Sequence, residues 1–176
     1  MKNFLPCRVV FLLFLYFSLS VSLITKVLAS DDKEEESDVI IIPETLLNID
    51  GESVSSDLLK RKYIGLYFSA SWCGPCRKFT PRLIEFRNKF VDDFEVILIG
   101  ADGSAKAQAN YMKKYSMPWL AMKNQSPEAK QASKVSGVEF IPYLVVINSS
   151  GKIISKNGKA EISTKGFEAM EYWKKL

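Results

Sequence analysis

The chain has 176 residues, 47% of them hydrophobic, which is enough for one ordinary domain with its own core and a targeting segment besides. Its formal charge of +4 is small, and lysines and glutamates are interspersed without forming a basic block, so nucleic-acid binding is not indicated. Histidine is absent, which excludes Ser-His and Cys-His nucleophile pairs and every zinc site that needs imidazole.

Residues 1–29 read as a signal peptide: Lys2 and Arg8 give a positive start, residues 9–24 an apolar run, and Val27-Leu28-Ala29 a cleavage site. The run is about sixteen residues, short of the roughly 20 of a spanning helix, so an uncleaved membrane anchor is the lesser alternative. Cys7 precedes the run, whereas a lipoprotein signal places its cysteine after it, and Cys7 is expected to leave with the peptide. Residues 30–37, with Asp31, Asp32, Glu34, Glu35 and Glu36, are charged and lack apolar side chains, which makes them a solvated linker. The folded domain is expected over 38–176.

From there strand-like and helix-like patterns alternate, the mark of an α/β domain. Residues 45–48 and 52–54, separated by Asp50-Gly51, suggest a hairpin, and Ser56-Asp57 caps a brief helix to Lys62. Tyr63–Ser69, Phe94–Gly100 and Tyr143–Ile147 are short apolar runs without helical period, the pattern of buried strands. Between the first two, residues 73–90 form a helix with Phe79, Leu83, Phe86 and Phe90 on one face and Pro81 kinking it. Helices follow over 104–115 and from Ser126-Pro127 to about Val135. Ser149-Ser150-Gly151 turns the third strand into 152–155, and a single helix over 163–174 closes the chain. The order predicts a central mixed sheet with helices on both faces.

Trp72-Cys73-Gly74-Pro75-Cys76 stands after a predicted strand and at the start of a predicted helix. Two intervening residues let the sulfurs meet across the first helical turn. Cys73 faces unpaired backbone N–H groups and the positive end of the helix dipole, which stabilise a thiolate, while Cys76 lies a turn deeper. Cys73 is therefore the expected nucleophile and Cys76 the resolving thiol. A metal site cannot be completed within one mature chain that has no third cysteine and no histidine. A purely structural bridge over so short a loop would stabilise weakly. No cofactor is expected beyond the Cys73–Cys76 disulfide itself.

The segment FSASWCGPCRKFTPRL resembles the active-site segment of the thioredoxin superfamily, most closely its tryparedoxin and nucleoredoxin branch. Met117-Pro118-Trp119-Leu120-Ala121 is similar to a second segment of that branch, and Gly137-Val138-Glu139-Phe140-Ile141-Pro142 to the approach to its cis-proline. The resemblance implies the thioredoxin fold, a cis Ile141–Pro142 peptide beside the dithiol, and a client-binding surface made of Trp72, Gly74, Pro75, Ile141 and Pro142. It implies that residues 101–141, a longer stretch than in a minimal thioredoxin, add a helix and place Met117 to Ala121 at the sheet edge. One departure stands out: Tyr67 occupies the position, six before the first cysteine, where thioredoxins proper bury an aspartate.

The expected function is disulfide reduction or exchange in exported proteins, by a monomer in the periplasm or a secreted fluid. A membrane electron donor is the implied partner, and the membrane is touched only through the signal segment if it is retained. The same residues also suit a disulfide oxidase or isomerase. A redox-responsive module that holds clients through Trp72, Phe140, Ile141 and Tyr143 without turnover is the reading from another class.

Overall fold

Tyr63–Ser69 and Phe94–Gly100 lie at the middle of the sheet because both of their faces need cover. The computed structural model describes residues 39–176; the expected signal segment 1–29, Cys7 and the linker 30–37 lie outside the described residues. In chain order the elements are β1 (Thr45–Leu47), β2 (Ser53–Ser55), a 3-10 turn (Ser56–Leu59), β3 (Tyr63–Ser69), α1 (Gly74–Lys89), β4 (Phe94–Gly100) and α2 (Ala105–Lys114). They continue with β5 (Leu120–Ala121), α3 (Pro127–Ser136), β6 (Tyr143–Ile147), β7 (Ile153–Ser155), α4 (Gly158–Lys165) and α5 (Glu168–Trp173). The strands form one mixed sheet in the order β2-β1-β5-β4-β3-β6-β7. β3 and β4 run parallel from Tyr63 opposite Phe94 to Ser69 opposite Gly100, and β6 lies antiparallel on the other side of β3.

Alternation along the strands divides the core in two. Tyr67, Val96, Leu98, Leu144 and Val146 face α1, α2, α4 and α5, while Leu66, Phe68, Ile97, Ile99, Val145 and Ile147 face α3 and the N-terminal segment at Ile40. Gly65 sits where the Phe94 ring crosses the sheet: a Cβ there would lie 2.7 Å from the ring and 3.1 Å from Leu144. The Phe94 ring in turn stacks on Trp173 at 5.5 Å and meets Phe86 edge-on at 5.3 Å. Pro81 lies inside α1 and supplies no amide proton to the turn before it.

Three expectations need correction. The single closing helix over 163–174 is two helices, α4 and α5, parted at Gly166, whose φ of 59° and ψ of −131° suit glycine alone. The break brings Trp173 back over α4, where its Nε1–H donates to Glu161 at 2.6 Å, and Ser155 donates to the same carboxylate oxygen at 2.8 Å. Met117 to Ala121 does not lie at the sheet edge: Leu120–Ala121 is β5, inside the sheet between β4 and β1, because the opening hairpin adds outside it with Leu47 opposite Ala121. The brief helix to Lys62 is one 3-10 turn, capped by the Ser55 hydroxyl on the Asp57 amide. Among the described residues no helix is long and apolar enough to cross a membrane.

Candidate active site

α1 begins at the carboxyl end of β3, after a turn at 70–72 closed by the Cys73 amide on the Ala70 carbonyl at 3.1 Å. Cys73 is the N-cap, extended at φ −78° and ψ 106°, and its sulfur takes the part a serine or aspartate oxygen usually plays: it accepts the Cys76 amide proton at 3.2 Å. Gly74 and Pro75 are the first helical residues, where a missing proline N–H goes unmissed. The two sulfurs are bonded, with Cα atoms 5.2 Å apart. Cys73 is 5% exposed and Cys76 fully buried, so Cys73 is the member of the pair that reaches solvent.

The other wall of the site comes from the end of the chain's second α/β stretch. The Ile141–Pro142 peptide is cis, as the resemblance implies, and the Ile141 carbonyl oxygen lies 3.8 Å from the Cys73 sulfur. Ile141 packs on the dithiol together with Ala70, and Pro142 is buried. Trp72 and Phe140, 65% and 64% exposed, are the large apolar side chains left open by the two loops. Phe140 meets Tyr143 edge-on at 5.6 Å. Ile141 also lines an apolar groove of about 280 Å³ whose walls include Phe68, Ile99, Ala129 and Val138.

Behind Cys76 lies a set of buried hydroxyls of which sequence reasoning had singled out Tyr67 alone. The Tyr67 hydroxyl donates to the Cys76 carbonyl at 3.1 Å and contacts the Thr80 hydroxyl at 3.0 Å. Thr80 also reaches the Cys76 carbonyl at 3.0 Å and the Tyr111 hydroxyl at 3.1 Å, and Tyr111 reaches Ser69 at 3.0 Å. Burial pushes the Tyr67 hydroxyl well above its ordinary value, against smaller opposing effects of its Ser69 and Thr80 contacts, so it stays neutral. Tyr67 thus fills the place of the thioredoxin aspartate with a group that holds backbone. Thr80 was within reach of the sequence, four residues after Cys76 and so one turn along the same helix face; Tyr111, on α2, carried no such signal.

A second missed residue is Asp102, two positions beyond β4. Its Oδ1 accepts the Ser71 hydroxyl at 2.6 Å and the Ser71 amide at 3.1 Å, and the side chain is buried.

A cysteine pair at the head of a helix, a buried partner sulfur and an adjoining cis-proline make up this arrangement, and the family model described as Thioredoxin-like matches residues 61–153. The chain belongs to the thioredoxin-like family. Among relatives, it is 43% identical to a tryparedoxin of Trypanosoma brucei brucei over 66% of this chain and 82% of that protein. It is 35% identical to a probable nucleoredoxin 1 of Arabidopsis thaliana over 84% of this chain but only 26% of that protein, so the chain spans about a quarter of such relatives. The crystal structure of tryparedoxin I from Crithidia fasciculata superposes with a TM-score of 0.64 at 38% identity, covering 70% of this chain and 87% of that one. Membership makes the chain a thioredoxin-like oxidoreductase, and its Cys73–Cys76 pair supports thiol-disulfide exchange.

Proposed function

We propose that this thioredoxin-like protein reduces or exchanges disulfides in protein clients, with Cys73 as the attacking thiol and Cys76 as the resolving one. The asymmetry of the pair carries the reading: Cys73 holds the solvent edge and receives the Cys76 amide proton, while Cys76 is enclosed. The Cys73 thiolate attacks one client sulfur, forming a mixed disulfide and releasing the other client sulfur as thiolate, which takes a proton. Cys76 then gives up its proton and attacks the Cys73 sulfur, the second client thiol departs, and two electrons have passed from the protein's dithiol to the client. A dithiol donor restores the pair; in the assay that donor is dithiothreitol, and in the cell we propose a membrane electron carrier.

Trp72, Gly74, Pro75, Ile141 and Pro142 make the proposed docking surface, with the exposed rings of Trp72 and Phe140 and the groove at Ile141 receiving apolar client side chains. The test is insulin reduction driven by dithiothreitol: wild type precipitates insulin rapidly, Cys73→Ser does not, and Cys76→Ser accumulates the mixed disulfide. Equal slow precipitation by wild type and Cys73→Ser would leave the client-holding module as the function, a reading favoured by the same exposed rings. A reduction potential near −270 mV, the value for thioredoxin, goes with a reductant, and one near −120 mV with an oxidase. Export is proposed from the pattern of residues 1–29, and N-terminal sequencing of secreted protein starting at Ser30 tests it.

A further inference from the structure

We propose that Asp102 sets both the position and the acidity of Cys73, acting through Ser71; the proposal rests on the reading of Cys73 as the attacking thiol. The turn at 70–72 is all that joins β3 to the cysteine, and Asp102 is its main fastening. Oδ1 takes the Ser71 hydroxyl at 2.6 Å and the Ser71 amide at 3.1 Å. Asp102 is itself held: its carbonyl accepts the Asn124 side-chain amide at 3.0 Å, the same amide reaches the Gly100 carbonyl at 3.2 Å, and the Ala101 amide donates to Ser69 at 2.8 Å. A rigid frame at the ends of β3 and β4 therefore reaches across to the residue two before the nucleophile.

Fastening alone does not need a carboxylate, since an asparagine oxygen would accept the same two protons. Yet the residue is only 2% exposed, and its Oδ2 is buried without a hydrogen-bond partner. Holding an under-paired acid there is costly compared with an amide. What the acid adds is negative charge, which opposes ionisation of Cys73, while the helix start and the Cys76 amide favour it. Arg77 and Lys78 on α1, Lys130 on α3 and Glu139 ahead of Ile141 are exposed, where water weakens their effect, and the less exposed Arg87 and Glu95, at the last turn of α1 and the start of β4, are paired with each other. Asp102 is the buried acid bonded to the turn that leads into Cys73. Restraining the thiolate makes the dithiol state less favoured, so Asp102 biases the pair toward giving electrons away.

Two variants separate the roles: Asp102→Asn keeps an acceptor for Ser71 and removes the charge, and Asp102→Ala removes both. The Cys73 thiol is titrated by the pH dependence of iodoacetamide alkylation, the redox equilibrium is read in glutathione buffers, and thermal unfolding checks that each variant is folded. In both, the alkylation midpoint falls by about half to one pH unit, the order of effect expected when an enclosed negative charge close to the thiol is removed at an effective dielectric near 20. The equilibrium moves several-fold toward the dithiol. kcat/KM for insulin drops about tenfold more in Asp102→Ala than in Asp102→Asn, the loss of geometry that a loosened turn brings. An unmoved or raised midpoint in Asp102→Asn, or equal losses of kcat/KM in the two variants, overturns the proposal. Should Cys73→Ser remain active, it is the assignment of the attacking thiol that fails, and that result is read independently of the Asp102 variants.

Discussion

Replacing Tyr67 by phenylalanine removes one buried hydroxyl and leaves its partners provided for. The Cys76 carbonyl keeps the Thr80 hydroxyl at 3.0 Å, and Thr80 keeps Tyr111 at 3.1 Å. With no group orphaned, the loss at pH 7 is that of an ordinary hydrogen bond, about 1 kcal/mol. The sign changes at high pH. Burial holds the folded Tyr67 proton well above the ordinary 10.0, so above that value the unfolded chain ionises and the folded one does not. The stability due to the neutral hydroxyl is complete below pH 10 and is lost as pH rises, by about 1.4 kcal/mol for each further unit. Phenylalanine pays no such penalty. Urea unfolding followed by tryptophan fluorescence from pH 7 to pH 11, on the disulfide forms, therefore shows the variant less stable at neutrality and the two curves crossing at about pH 10.7. All other titrations are common to both proteins and cancel in the difference. A stability gap that stays constant across this range refutes the claim that Tyr67 is buried and neutral beneath Cys76.

Gly65→Ala pushes a methyl group to within 2.7 Å of the Phe94 ring and is expected to lower stability by about 1–3 kcal/mol in urea unfolding. Arg87 pairs with buried Glu95 at 2.8 and 2.5 Å, and this bonding raises the guanidinium's affinity for its proton. Arg87→Met leaves that carboxylate without its cation and costs about 3 kcal/mol, most of which the double variant Arg87→Met with Glu95→Met recovers in the same assay. Ser126→Ala removes the side-chain bond to the Ala129 amide that starts α3, worth about 1 kcal/mol by thermal unfolding. Trp72→Ala, at an exposed ring, shifts the unfolding midpoint by no more than about 0.5 kcal/mol's worth but lowers kcat/KM for insulin about tenfold.

The sheet's centre and the dithiol were legible because their signals are local. Apart from Ser69 and Glu95, the buried positions of Tyr63–Ser69 and Phe94–Gly100 carry no polar side chain but the Tyr67 hydroxyl, and Cys73 and Cys76 sit three apart at a strand-to-helix junction. What failed depended on distant chain. The placement of Leu120–Ala121 is decided by a hairpin seventy-odd residues earlier that adds beyond it, and two residues carry too little pattern to announce a strand. Gly166 breaks the closing helix because Trp173 has a bond to make with Glu161, a preference invisible in helical periodicity. The hydroxyls of Tyr111 and Ser69 and the carboxylate of Asp102 come together only when α2 and the end of β4 are laid beside α1; no spacing along the chain records that meeting.

With the whole of Cys73 only 5% exposed, the proposed exchange would sort its partners by shape before any chemistry begins. On that proposal a client bond would have to be carried to Cys73 on a segment that fits between the exposed rings of Trp72 and Phe140. Cystines locked inside tightly folded bodies would be passed over, whereas those on slack or half-unravelled chains would fit. Selectivity for unfinished or damaged molecules would then require no recognition sequence at all.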